Sequence, residues 1–401
     1  MKICLITLYT PLPENIGGIS AHPYYLMVER EKDIDIEIFS FNLNQVKSAT
    51  IKEVEKTLNV KIHLLQQPKW YKFIVNHHLT FIRVFLKYTL DSYIKPSKSE
   101  IKKICRSQPD LIWRYGYNFI NLTKELPQYK HIVSDPDCPS MTMTRLLADV
   151  SSYTTIIKFL AIAKLAYSYY NTTKSDSSPN VLHHLVGFGD YDLQRQIIPQ
   201  KKSFFILHPH YQLSQAANIS FNHICLHVLI AGKNDMYMST GMKLVAESLK
   251  AMNDRLKQRF DFTFLGKGWE KLNEDLNNSG ITCKIITWAD NYVDEIAKYD
   301  IQLVPITVGS GTKAKVIDAL ANGLLVIGTE CALENIAVRN MESCVCYKYA
   351  DQIPSILSSI ISNIAKYEQI AKKGMEQARL YHAPKRISKR FFDISKEFLK
   401  S

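Results

Sequence analysis

The chain has 401 residues, 46% of them hydrophobic and 22% charged, a balance that excludes disorder and suits two domains or one large one. Its 50 lysines and arginines outnumber 38 acids, which leaves a net charge of +12 and calls for an acidic partner: nucleic acid, anionic lipid or phosphorylated substrate. Eight scattered cysteines, with no C-x-x-C pair and no His/Cys ligand spacing, read as free thiols of a reducing cytoplasm, and no apolar run approaches the roughly 18 residues of a spanning helix.

In chain order, residues 2–8 open the sequence as an apolar strand, too short a run for a secretion signal. Gly17 and Gly18 form a turn after it, suited to close backbone approach to a phosphate or sugar, and His22 follows as a general base, a sugar contact, or a packed first-turn histidine. Residues 35–41, 60–65, 110–115 and 131–133 read as further strands. Between them, residues 67–98 interleave Lys69, Lys72, Arg83 and Lys87 with Trp70, Phe73, Phe81 and Phe85 at helical spacing. Such a segment suits an anionic membrane face, or a core helix whose lysines snorkel at its edges. Residues 156–170 raise the same choice, and the polar residues 171–180 read as a surface loop.

The strand at 110–115 ends in W-R-Y, with Arg114 and Tyr115 available to an acceptor and Trp113 suited to the core. D-P-D at 135–137 follows the next strand. Its acids are either turn or cap groups beside Pro136, or Asp135 or Asp137 faces a ligand and orients a hydroxyl. Prolines at 199–212 mark a boundary; His208 and His210 lie there without an evident partner.

Beyond it, residues 225–231, 262–265, 281–287, 301–304 and 324–327 read as strands, and residues 242–260, 269–278, 292–298 and 313–322 as helices. Cys344 and Cys346 alternate in one more strand. From 351 to about 381 the chain turns helical, and a basic helix closes it. Strands alternating with helices of this length mean parallel sheets covered on both faces, hence an α/β chain of two doubly wound halves with the cleft between them as the natural ligand site.

The sharpest chemical signal is G-S-G-T-K-A-K-V-I-D-A-L-A-N-G, residues 309–323, between a buried strand and a helix. Gly309 and Gly311 permit a tight turn, and the opening of a helix attracts a phosphate. Lys313 and Lys315 stand in the first turn, where a helix by itself prefers acids, so an anionic ligand explains them better than helix stability does. Asp318 comes one turn later, placed to accept hydrogen bonds from a ribose diol. G-K-G-W at 266–269 offers the Gly266 backbone and Lys267 to a nucleotide, and Trp288 suits a base pocket or the core.

With these motifs in place, the second half resembles the retaining glycosyltransferases of family 4, which have the GT-B architecture of two Rossmann-like domains facing across a cleft. The likeness rests on F-T-F-L-G-K-G at 262–268, I-T-W-A-D-N-Y-V-D-E-I-A-K-Y-D-I-Q-L-V-P-I at 286–306 and residues 309–329, in the family's order. G-G-I-S-A-H at 17–22 resembles its N-terminal glycine turn. The resemblance implies residues 1–205 as an acceptor-binding domain, with residues 382–401 packing back on it, and residues 206–381 as a domain for a nucleoside-diphosphate sugar. It puts Asp318 at the second acid of the E-x7-E motif and Ser310 at the first, a departure that leaves the donor sugar open. Lys233 stands where the family has an Arg, and Thr240 near its expected Lys, with Lys313 and Lys315 as replacements.

Charge on a departing diphosphate is stabilised by cations and helix-end amides, so the implied reaction is sugar transfer without a metal or other cofactor, from a UDP- or GDP-type donor. The expected donor-binding set is Gly17, Gly18, Lys233, Gly266, Trp288, Gly309, Ser310, Gly311, Thr312, Lys313, Lys315 and Asp318, with Asp137, His22 and Lys313 as catalytic groups. The acceptor is a glycan or lipid-linked sugar, reached in the cytoplasm or at the inner face of its membrane through residues 67–98. The alternatives are a sugar-nucleotide epimerase and a catalytically degenerate binding subunit. Dispersed basic residues and the lack of a reading motif argue against nucleic acid.

Overall fold

The computed structural model describes residues 1–14, 19–116, 119, 122–135, 137–149, 155–215 and 219–401. They form two compact units, one of Met1–Pro209 with Pro384–Ser401, the other His210–Ala383.

Among the described residues of the first unit, seven strands make one parallel sheet: β1 (Lys2–Thr7), β2 (Asp35–Ser40), β3 (Lys61–Leu64), β4 (Leu111–Tyr115), β5 (Lys130–Ser134), β6 (Val181–Leu185) and β7 (Ser203–Phe205). Their order is β3-β2-β1-β4-β5-β6-β7. Leu111 to Tyr115 are all buried, as befits a strand covered on both faces. The final helix, Pro384–Lys400, belongs to this unit. Its Ser388 hydroxyl donates to the Leu26 carbonyl at 2.6 Å, and Phe391 packs against Trp113 with ring centroids 4.9 Å apart.

The second unit repeats the plan with β8 (Leu226–Ala231), β9 (Phe260–Leu265), β10 (Cys283–Ile286), β11 (Ile301–Val304), β12 (Leu325–Thr329) and β13 (Val345–Tyr347), in the order β10-β9-β8-β11-β12-β13. Both sheets reverse direction beside their first strand, between β1 and β4 and between β8 and β11. Ligands in such sheets bind at the carboxyl ends of the strands flanking that point.

Several expected elements take another form. Residues 67–98 are not one helix: the helix Lys69–Asn76 stops before His78, which adopts a left-handed backbone at φ 54°, and two 3₁₀ turns follow at Thr80–Phe85 and Leu90–Tyr93. Residues 242–260 are two helices, Ser239–Lys250 and Asp254–Lys257, because the Asn253 side chain caps the second by accepting from the Leu256 N–H. The expected loop at 171–180 is helical as far as Lys174. Strands β6 and β7 escape a hydrophobic pattern, the first because His183 and His184 break its apolar run and the second because it has only three residues.

One close approach sets the second unit's carboxyl edge. A Cβ on Gly241 would stand 1.8 Å from the Pro305 carbonyl oxygen, so the helix Ser239–Lys250 starts directly against the end of β11. Gly241→Ala is expected to lower the melting temperature by about 5–10 °C or to abolish folding of this unit, read by thermal unfolding.

Candidate active site

At the carboxyl ends of β8, β9 and β11 three glycine turns meet. Gly232, Gly266 and Gly309 have φ of 130°, 148° and 149°, and Gly311 of 65°. The turns after β8 and β9 are stitched to each other through their backbones. The Gly232 N–H donates to the Leu265 carbonyl and the Asn234 N–H to that of Lys267, both at 2.9 Å. A Cβ on Gly266 would lie 2.4 Å from the Gly232 oxygen, so contact here is backbone on backbone. Buried Trp269 locks the arrangement, its indole N–H donating to the Gly232 carbonyl at 2.8 Å.

Cations converge on these turns. Lys315 is half-buried, and its ammonium donates to the Ala231 carbonyl at 3.1 Å. Burial holds its pKa below the usual lysine range; Asp235 opposes that shift, and the charges of Lys313 and Lys233 reinforce it. Lys313 donates to the carbonyls of Ser310 at 3.2 Å and Gly311 at 3.0 Å, folding its charge over the turn it follows. Lys233 is exposed, 3.9 Å from Asp235. Asp235 is occupied within its own turn, accepting the N–H groups of Tyr237 at 3.0 Å and Met238 at 3.3 Å. Thus Lys313 and Lys233 both lie within electrostatic reach of Lys315, with Asp235 as the opposing carboxylate, an arrangement that attracts an anion.

Asp318 lies in the helix Ala314–Ala321 and is only 4% exposed. Its Oδ1 accepts the Tyr211 N–H at 3.0 Å. Burial pushes the carboxyl up to about 7, against the opposing effect of that hydrogen bond. Asn322 ties the same chain segment down, accepting the Ser214 N–H at 2.7 Å and donating to the Gln212 carbonyl at 3.2 Å. Tyr211 and Asn322 were invisible as partners in the sequence, since more than a hundred residues separate them from what they hold. Tyr237, whose ring lies 3.8 Å from where a Gly309 Cβ would stand, and Asn335, whose amide donates to the Gly311 carbonyl at 3.4 Å, also went unnoticed. Trp288 follows β10 and is 71% exposed, so the core alternative for it is set aside. Thr312 and Ser310 complete the turn before Lys313.

In the first unit Gly17 and Gly18 lie outside the described residues. His22 is fully buried, Nδ1 2.9 Å from the Tyr115 hydroxyl, its ring 4.8 Å from that of His208 and 5.8 Å from that of His184. Burial, and then its histidine neighbours, hold its pKa well below the usual value. Of the readings open for His22, general base, sugar contact or packed first-turn histidine, its burial fits the packed imidazole. Tyr115 is likewise buried, and Arg114 is paired with Asp176 at 2.5 Å and with the Phe119 carbonyl at 3.0 Å, so neither is offered to an acceptor.

Asp135 is no helix cap. Its Oδ2 lies 2.8 Å from Nδ1 of His183, while Oδ1 has no hydrogen-bond partner among the described residues. Asp137 joins Asp135, His183, Gln194 and Lys201 in lining a cavity of about 10 Å³, the size of one water. The sequence shows no histidine near the end of β5. Strand pairing supplies two, because Val133 lies beside His183 and Ser134 beside His184. The signal that could have found them is the H-H pair inside V-L-H-H-L at 181–185.

Residues 226–363 match the family model for glycosyl transferases group 1. No curated protein matches the sequence. The fold is similar to that of HepE from Anabaena, solved in complex with UDP, at 11% identity and a TM-score of 0.64, covering 99% of this chain and 100% of that one. It is also similar to sucrose-phosphate synthase from Thermosynechococcus elongatus (12% identity, TM-score 0.69, 100% and 99% covered) and to a glycosyltransferase from Rickettsia africae (13%, 0.65, 100% and 99%). The chain is a glycosyltransferase with the two-domain, Rossmann-like GT-B fold. Its glycosyl transferases group 1 segment contains Lys233, Gly266, Trp288 and the whole of 309–318.

The carboxyl of Asp318 gives a pH test. An acid whose folded pKa is raised costs stability as pH climbs from the ordinary carboxylate range to the folded value. Asp318→Asn, which keeps an oxygen for the Tyr211 N–H, is expected to gain on the parent chain between pH 4 and pH 7, with a constant difference above pH 8. Melting temperatures of the two proteins across that range make the comparison.

Proposed function

We propose that the chain transfers a sugar from a UDP- or GDP-type nucleotide sugar to a glycan or lipid-linked acceptor in cell-surface glycan synthesis, in the cytoplasm or at the inner face of its membrane. The observation that carries the reading is the convergence of Lys313, Lys315 and Lys233 on glycine turns at the carboxyl edge of the second sheet, with Asp235 as their carboxylate. Breaking the bond from the anomeric carbon to a diphosphate builds negative charge on the leaving group. Cations already held in place stabilise that charge more than they stabilise the ground state. Lysines that supply this charge make the transfer independent of a bound metal.

In this reading the backbones of Gly266, Gly309, Ser310, Gly311 and Thr312 approach the diphosphate, and Lys313 is the catalytic cation. The second oxygen of Asp318 takes the ribose, since the first holds Tyr211. Trp288 borders the base. The Anabaena protein of similar fold was solved with UDP and with UDP-glucose, which supports a uridine donor. The first unit receives the acceptor, and Asp137, beside Asp135 and His183 at the small cavity, orients its hydroxyl.

Isothermal calorimetry with UDP and GDP tests the donor site. Lys313→Ala and Lys315→Met are each expected to weaken binding about 10- to 100-fold, the range of a charged hydrogen bond. Unaltered affinity in both variants removes the site. Donor hydrolysis by the purified chain, which requires no acceptor, separates a working transferase from a binding subunit.

A further inference from the structure

Two segments of the first unit, distant in sequence, pack on one another, and each carries exposed apolar side chains. The helix Ile156–Lys174 is joined to the stretch after Lys69 by the Ser168 hydroxyl donating to the Leu86 carbonyl at 2.7 Å and by the Thr89 N–H donating to the Thr172 hydroxyl at 3.2 Å. Large apolar side chains of both segments stand out in solvent: Phe85 is 77% exposed, Ile156 75% and Ile157 76%, with Phe73, Phe81 and Leu160 also exposed. Soluble proteins rarely leave such a group uncovered.

The charge around these side chains is of one sign. Lys69, Lys72, Arg83, Lys87, Lys158 and Lys164 lie in the two segments. Residues 155–175 contain no acid, and the single acid of residues 69–93 is Asp91. Asp91 is turned inward, accepting the Tyr71 hydroxyl at 3.1 Å. Lysines also lie over rings here, Lys87 5.3 Å from the Tyr88 centroid and Lys164 4.7 Å from that of Tyr167, so their stems run along apolar surface with the ammonium at its rim. No helix among the described residues is long and apolar enough to cross a membrane.

We infer that this face docks on an anionic lipid surface, with Ile156, Ile157, Phe81 and Phe85 entering the headgroup boundary and the lysines and Arg83 meeting lipid phosphates. Aliphatic side chains decide the class of partner. Isoleucine has no ring on which a nucleobase stacks, whereas lipid takes up branched chains and the cations on one face. The basic-aromatic character of residues 67–98 is thus half of a larger patch, and its exposed apolar tip comes from the helix Ile156–Lys174. The inference rests on the reading of a lipid-linked acceptor for its place in the reaction, and on the surface alone for the binding.

Cosedimentation of the full chain with phosphatidylcholine vesicles, with and without phosphatidylglycerol, tests it. Binding to the anionic vesicles is expected to be at least about tenfold stronger and to weaken with salt. The variant Ile156→Ser/Ile157→Ser/Phe85→Ser is expected to lose most of it while keeping its melting temperature and its UDP affinity, since all three side chains are exposed. Equal binding by parent and variant, preference for an RNA oligonucleotide over vesicles, or a dimer in light scattering that the variant disperses would each overturn the inference. UDP bound normally by a chain that ignores vesicles would sink the docking surface and leave the donor site standing.

Discussion

Like charges held together are the constraint around which the second unit is arranged. Lys315 is drawn into the protein against the Ala231 carbonyl, Lys313 folds over its own turn, and Lys233 reaches in from outside, with Asp235 to balance them. Lysine is rarely buried without full compensation, and burial here depresses its pKa. The glycine turns follow from the same need. Positive φ at Gly232 and Gly266 lets two loops close on one another backbone to backbone, while the space beside Gly309 is taken by Lys313 and Tyr237. Gly241 against Pro305 and Trp269 against Gly232 hold the loops at that distance.

The first unit handles charge in the opposite way. Arg114 is matched to Asp176, Asp135 to His183, and Lys201 donates to the Thr173 carbonyl at 2.7 Å. An interior ion pair such as Arg114–Asp176 repays its desolvation only when both partners stay, and removing one is costly. Such pairs build the floor of the unit and are weak evidence for catalysis. The histidines His22, His184 and His208 belong with them, buried rings gathered beside Tyr115. Two sheets that share a strand order but for β7 therefore carry different electrostatics: matched interior pairs in one, and a cluster with more lysines than acids in the other.

The GT-B fold was legible because parallel strands covered on both faces are largely apolar runs alternating with helical patterns, as at residues 2–8, 226–231 and 324–327. Where polar residues entered a strand, as His183 and His184 do in β6, the pattern failed, since their polarity is satisfied only by neighbours such as Asp135 and Ser134 on the next strand. The helix expected across 67–98 failed for a local reason, the left-handed backbone at His78, which periodicity does not report.

The sequence by itself determined the α/β alternation, the glycine turn of 309–312, and the presence of two lysines and an acid on the helix after it. These follow from local rules: backbone freedom at glycine, the period of apolar residues, and the wrong-signed charges at the start of a helix. Only the tertiary structure decided that Lys315 reaches back to the end of β8, that Tyr211 takes one oxygen of Asp318, that His22 is interior, and that the helix Ile156–Lys174 packs against Leu86 and Thr89. Each of these depends on which strands lie side by side and which segments cross them. That is a matter of burial and hydrogen bonding between residues dozens to more than a hundred positions apart, for which no local pattern exists.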